Sequence, residues 1–262
     1  MSKATSLKLD QILKNKTLGS SELVHLLNDY FLSRQNNRVE ILQSIPIIKV
    51  KLGHFKAVNK YLKNLHSSIQ SKKKLLKFLE NHSSRQKDEL EIIFKRIYPR
   101  FKNLKGIITL SRSGTVLEIL KLWHQKNKRI KVVVCESRPR FEGRLMAESL
   151  AKSGIKTELI TDAMTSIYIA KVDAAIIGAD VILKNGNIIN KVGSKSLALL
   201  CKEYRKPLFV VATKSKLSSS NKFKPSREAP KEVFHKKIKN LSVSNIYFEE
   251  VERKFITKIF TD

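Results

Sequence analysis

Residues 106–135 read GIITLSRSGTVLEILKLWHQKNKRIKVVVC, and the reading of this stretch decides the fold. A short apolar run, Gly106 to Leu110, gives way to a Ser-Arg-Ser-Gly turn. Apolar residues at helical spacing follow from Val116 to His124, and a second apolar run covers Ile130 to Cys135. Two buried strands joined through a helix pair in parallel, because the crossover returns the chain to the same end of the sheet. The alternation continues downstream. Thr157 to Ile160, Ala174 to Ile177 and Leu208 to Val211 read as buried strands, with helices over Leu145 to Lys152, Met164 to Ala170 and Lys195 to Tyr204. Asn185-Gly186 marks a tight turn and places a small hairpin after Asp180. The expected architecture is α/β, a doubly wound and mostly parallel sheet with helices on both faces.

Working outward, seven of the nine glycines fall between residues 106 and 193, where tight strand-to-helix turns need them. Residues 9–97 instead place apolar side chains three and four apart, as in Leu23, Leu26, Leu27, Tyr30 and Phe31, which predicts several antiparallel helices. Gly19-Ser20-Ser21-Glu22 supplies a helix start with a serine as N-cap, and Pro99 is expected to close the region. The chain therefore divides into a helical N-terminal domain, residues 1–100, and a sheet domain, residues 101–262. Thr213 to Asn240, with nine basic and two acidic residues, several serines and two prolines, reads as a loop or exposed insertion.

The 262 residues carry 52 Lys+Arg against 23 Asp+Glu, a formal net charge of +29. That charge is spread as +14 over residues 1–105, +7 over 106–200 and +8 over 201–262. An even, lysine-dominated excess fits a solvated surface with nonspecific affinity for nucleic acid, and RNP aromatics, a zinc knuckle or a KH-type glycine loop are missing. Cys135 and Cys201 lack metal-ligand spacing and sit in apolar or helical contexts, so neither a disulfide framework, a metal site nor a cofactor is expected. No run approaches the ~18 apolar residues of a membrane span, and the N-terminus has no cleavable leader pattern. A cytoplasmic protein without membrane contact is expected.

In an open parallel sheet, ligands bind beyond the carboxyl ends of the strands. Ser111, Arg112, Ser113 and Gly114 follow the first strand and open a helix, where hydroxyls, a guanidinium and free amides suit a phosphate; plain N-capping by Ser113 is the alternative. Glu136 to Arg144 follow the second and hold three of the chain's 13 arginines, among them Arg138, suited to forked phosphate contacts or to surface ion pairs. Asp162 after the third strand reads as a helix cap or a site residue. Asp180 ends the fourth strand, and Asn190 and Lys191 follow the hairpin. Asp180 suits a sugar hydroxyl or a proton transfer, with capping or a buried ion pair as the alternative, and the other two suit an oxyanion or phosphate.

The series TLSRSGTVLEIL, VVVCESRPRFEGRLMAESL, TDAMTSIYIAKVDAAIIGADVILKNGNIINKVGSKSLALLCKEYRKPLFVVA and IYFEEVERKFITKIFTD resembles the alpha/beta/delta subunit family of translation initiation factor 2B. That family also includes ribose-1,5-bisphosphate isomerase and methylthioribose-1-phosphate isomerase. The resemblance is dense over 106–212, resumes at 245–262, and upstream is echoed only by GSSEL. It implies a helical N-terminal domain, a Rossmann-like ligand-binding domain, and a homodimer or assembly with related subunits. Family members continue past the position of Asp262 toward the dimer interface, which leaves the oligomer open.

The isomerases use a cysteine after the first strand and an aspartate in the GAD motif; the aspartate corresponds to Asp180, while Ser111 stands where the cysteine would be. A serine hydroxyl is a far weaker acid than a thiol, and Cys135, at the end of a hydrophobic strand, reads as core. Three functions are therefore weighed. The first is an initiation-factor-2B-like protein that binds a sugar phosphate or nucleoside monophosphate and regulates more than it catalyses. The second is an aldose-ketose isomerase using Asp180 with Ser111 or water. The third is a basic RNA- or ribosome-associated protein with a vestigial pocket.

Overall fold

The computed structural model describes residues 9–14, 19–53 and 56–262. The chain forms two compact units, one ending at Glu89 and the other spanning Leu90–Asp262. The first is helical: α1 (Leu9–Lys14), α2 (Ser20–Ser33), α3 (Arg38–Leu52), α4 (Lys56–Ser68) and the early turns of α5 (Lys72–Phe101). Leu23, Leu27, Phe31, Ile41, Ile48, Leu65, Leu75 and Leu79 are fully buried in its core.

Two local expectations are corrected. Ser20 is the first residue of α2 and not its cap; Gly19 occupies the cap in extended backbone, and no side chain bonds there. Pro99 does not end its helix, for α5 continues through it to Phe101. The spacing of Ile93, Ile97 and Phe101 explains this, since all three are fully buried on one helical face and their packing outweighs the amide that proline lacks.

The second unit is built on a six-stranded parallel sheet in the order β3-β2-β1-β4-β7-β9. Its strands are β1 (Gly106–Leu110), β2 (Lys131–Cys135), β3 (Lys156–Ile160), β4 (Ala174–Ile177), β7 (Leu208–Val211) and β9 (Lys258–Phe260). Side chains alternate across it with period two. Ile107, Val132, Val134, Ala174, Ile176, Phe209 and Val211 join one core, with Trp123 and Leu150 from α6 (Gly114–Lys126) and α7 (Glu142–Lys152). Ile108, Val133, Cys135, Ala175, Ile177, Leu208 and Val210 join the other, with Ile169 and Leu197 from α8 (Thr165–Ile169) and α9 (Ser194–Glu203). Helices therefore cover both faces, and the strand order reverses between β1 and β4, the switch point where a crevice opens.

The hairpin at Asn185-Gly186 is present: β5 (Val181–Ile182) pairs antiparallel with β6 (Ile188–Lys191), and β8 (Phe248–Val251) completes a small second sheet. Neither β8 nor β9 belongs to the expected pattern. Glu249, Glu250 and Lys258 interrupt their apolar character, as suits strands at a sheet's edge. Between β7 and β8, residues 213–240 form a mostly exposed loop with short 3-10 turns at Lys214–Lys216 and Pro230–Glu232 and a single bridge from Leu217 to Ile182. Among the described residues no helix is long and apolar enough to cross a membrane.

Candidate functional site

The loops at the carboxyl ends of the strands are tied together by hydrogen bonds that demand unusual backbone. Ser111, Ser137 and Phe141 all have positive φ (58°, 64° and 58°), the left-handed region that residues other than glycine rarely occupy. All three lie just after β1 or β2, and such conformations persist where the surroundings over-determine them. Ser137 supplies part of that determination. Its Oγ accepts from the Ser111 amide (2.6 Å) and donates to the Cys135 carbonyl (3.1 Å), and the side chain is buried. Asp162 supplies the rest: its carboxylate accepts from the amides of Ser137 (2.8 Å) and Arg138 (2.7 Å). Asp162 thus braces a neighbouring loop and does not cap its own helix. Two glycines let the loops close up. A Cβ at Gly143 would lie 1.8 Å from the Cys135 carbonyl oxygen, and one at Gly178 would lie 2.6 Å from Ser113 Oγ.

Ser113 caps α6 by accepting from the Val116 amide (3.3 Å), and Gly114 begins the helix, whose first amides have no partner within it. Arg112 is turned onto α7, its Nη1 donating to the Leu145 carbonyl (3.1 Å) and Ser149 Oγ (2.9 Å). Arg138 is exposed and stands 4.8 Å from the Phe141 ring centre. Its neighbours differ: Arg140 lies 5.2 Å from the Tyr247 ring, and Arg144 is paired with Glu136 at 2.7 Å.

The charged centre involves β4, β6, α7 and the turn after β7. Lys191 is buried, with Nζ 3.0 Å from Glu142 Oε1 and 4.9 Å from the Tyr247 ring centre. Asn190 is buried as well, its Nδ2 donating to Ser194 Oγ (2.9 Å), which in turn donates to the Lys191 carbonyl (2.6 Å). Burial holds the Asp180 carboxyl above the usual carboxylate range; Lys216 and then Lys191 oppose that push, and Glu142 adds to it. The Lys216 ammonium is pulled down by burial against the attraction of Asp180. Tyr247 donates its hydroxyl to Glu232 on the long loop.

Ser137 joins the loop of Ser111 to that of Arg138, Ser113 packs on Gly178 two residues before Asp180, and Lys191, the last residue of β6, pairs with Glu142 on α7, whereas Arg112 and Asn190 are directed into local contacts. The sequence reading passed over Ser137, Glu142, Lys216 and Tyr247. Glu142 stood within the arginine-rich stretch, and Lys216 follows a strand end, so the strand-end rule was the available signal for both. Cys135 is no nucleophile: it is buried, contacts Thr165 Oγ1 at 3.3 Å, and burial pushes its thiol up to about 11. Among the described residues no cluster of His, Cys, Asp and Glu could hold a metal.

The model of the Initiation factor 2 subunit family matches residues 4–262. The chain is 32% identical over 222 residues to a ribose 1,5-bisphosphate isomerase of Archaeoglobus fulgidus, covering 79% of this chain and 69% of that protein. It is 36% identical over 156 residues to a putative translation initiation factor eIF-2B subunit 2-like protein of Pyrococcus horikoshii, covering 60% of this chain and only 55% of that one. Among solved structures, a translation initiation factor eIF-2B of Pyrococcus horikoshii matches with a TM-score of 0.72 at 26% identity, over 97% of this chain and 93% of that one.

Proposed function

We propose, because the chain belongs to the Initiation factor 2 subunit family, that its strand-end site binds a sugar phosphate or nucleoside monophosphate, and that the protein regulates or assembles more than it isomerises. Residues 101–262 are the ligand-binding domain in this reading and residues 1–100 the helical domain. Ser111, Ser113 and the first amides of α6 take the phosphate with Arg138, while Asp180 and Lys191 face the sugar. Association with itself or with related subunits and a cytoplasmic location belong to the same proposal.

The observation that carries it is the junction of the β1 and β4 loops at the sheet's switch point, where Ser113 Oγ lies against Gly178 and Asp180 follows two residues later. The reading against efficient isomerisation rests on Ser111. Its hydroxyl stands where the isomerases of the family carry a thiol, and the nearby Cys135 is locked in the core. Calorimetric titration with ribose 1,5-bisphosphate, ribose 5-phosphate and nucleoside monophosphates tests the proposal. Binding that Arg138→Ala weakens, without product formation from ribose 1,5-bisphosphate, is the expected result. Turnover abolished by Asp180→Asn would instead establish the isomerase, and the absence of heat at millimolar ligand would remove the binding reading.

A further inference from the structure

The long loop between β7 and β8 is fastened at two places. Near its start the Ser218 amide donates to the Ile182 carbonyl (2.8 Å), and the Asn221 side chain accepts from the Asn185 amide (2.8 Å). Further on, buried Asn245 closes a clasp. Its carbonyl accepts from the Glu228 amide (2.9 Å), and its Nδ2 donates to the Ala229 carbonyl (2.9 Å) and to Glu232 Oε2 (3.2 Å). Residues 233–244 leave and re-enter through that clasp, and all of them except half-buried Val243 are exposed.

Two features of this tongue bear on what it meets. Phe234, Ile238 and Leu241 stand 37%, 52% and 48% exposed, large apolar side chains that water does not favour. Phe234 and His235 set their rings 5.9 Å apart at 33°, and both are open to solvent. Between and before these side chains come Lys231, Lys236, Lys237 and Lys239, all exposed and none with an acidic partner among the described residues. The two carboxylates of residues 213–240 are engaged at the clasp, Glu228 with Ser226 and Glu232 with Asn245 and Tyr247.

We infer that residues 231–241 bind a single strand of nucleic acid, with the lysines on its phosphates and the Phe234–His235 pair against its bases. A protein partner would have to bury lysines among the apolar side chains, and interface cores are depleted in lysine because that desolvation is costly. A phosphate chain instead takes lysine with release of its own counterions. A duplex hides the faces of its bases, so open rings favour an unpaired strand, whose bases stack on aromatic planes whatever their sequence. Lysine suits the same tolerance, since it is a point charge that meets phosphate without fixing a geometry. Neither contact uses the sugar 2′-hydroxyl, so RNA and DNA strands bind alike. The surface is independent of the strand-end ligand reading.

The experiment follows the fluorescence anisotropy of labelled oligo(U), oligo(dT) and a duplex, each about 12 nucleotides long, with the full-length protein between about 50 and 200 mM salt. The two single strands are expected to bind alike and more tightly than the duplex. Changing Lys231, Lys236, Lys237 and Lys239 to Gln should weaken single-strand binding at least about tenfold and flatten its salt dependence. Phe234→Ala should weaken it at least about fivefold with the salt dependence unchanged, because stacking carries no charge. The control changes Lys72, Lys73, Lys74 and Lys77, exposed on α5, to Gln; it removes the same charge and is expected to bind almost as the wild type does. An equal loss in that control would mean that the diffuse charge of the chain holds the strand, and it overturns the inference. A preference for the duplex, a requirement for the 2′-hydroxyl or an unaffected Phe234→Ala overturns it too. A wild type that binds no strand at the lowest salt also overturns it and leaves Phe234, Ile238 and Leu241 to a protein partner. None of these outcomes touches the sugar-phosphate reading.

Discussion

Asn28 in the helical unit and Glu142 in the sheet unit are both buried polar side chains, and the fold treats them in opposite ways. Every hydrogen-bonding group of the Asn28 amide is used. Nδ2 donates to the Leu79 carbonyl (3.1 Å) and Ser83 Oγ (2.9 Å), and Oδ1 accepts from the Tyr61 hydroxyl (2.8 Å). Three helices are pinned by one side chain, and nothing is left over. Glu142 is satisfied on one oxygen only, by Lys191, with Asp180 near enough to feel its charge. Saturation is not a rule of this fold, since Asn59 Oδ1 in the helical unit and Trp123 Nε1 in the sheet unit are also buried without a partner; what sets Glu142 apart from Asn28 is its charge, which depends on a single buried cation.

The largest expected effect breaks the charged centre. Lys191→Met strands the Glu142 carboxylate in a place where both side chains are nearly enclosed, 4% and 11% exposed. Removing one partner of a buried pair costs about 3–5 kcal/mol, read as a lowered midpoint in urea unfolding. Adding Glu142→Leu to that variant is expected to recover most of the loss, because the penalty belongs to the unpaired charge and not to the missing contact. If Lys191→Met proves as mild as a surface change, the centre is not desolvated and the contrast with Asn28 collapses.

Asn28→Ala comes next. It leaves the Tyr61 hydroxyl without its acceptor inside the helical core, and the expected loss is about 1–3 kcal/mol in the same unfolding measurement. Ligand binding should be untouched, since the effect lies among helices of the other unit. A change in sugar-phosphate affinity with this variant would show that the role of Asn28 is not confined to the helical core.

The two regions also differ in how far they can be read from the residues alone. The sheet was legible because its strands are uninterrupted apolar runs flanked by glycine turns. Gly106 to Leu110, Ala174 to Ile177 and Leu208 to Val211 coincide with β1, β4 and β7 to the residue. Strands with lysines and glutamates at the edges, β8 and β9, gave no such signal. The site was legible only as a set of strand ends. Which side chain turns inward is a matter of packing: Arg112 finds Ser149 on α7, and Glu142 finds Lys191 forty-nine residues away. Spacing along the chain carries no trace of either encounter. Pro99 shows the same limit from the other side, since a strong local stop signal yields to Ile97 and Phe101 buried around it.

The smallest expected effect sharpens the contrast between the two sulfur-bearing options at the strand ends. The thiol of Cys135, pushed up to about 11, is ionised to about one part in a thousand at pH 8. Iodoacetamide should therefore leave it unmodified in the folded protein. A cysteine introduced by Ser111→Cys would sit partly open at the head of α6, whose positive end favours the thiolate, and near its ordinary value of about 8.5 it should react at least about a hundredfold faster. The sign for stability follows from the same shift. Above pH 9 the unfolded chain gives up the Cys135 proton while the folded chain keeps it, so the native state loses stability as the pH climbs from about 9 toward about 11. Cys135→Ala should flatten that part of the alkaline loss, read as the pH dependence of the urea midpoint. Modification of Cys135 at a rate matching Ser111→Cys would mean that the end of β2 opens readily, and burial would then no longer separate the two positions.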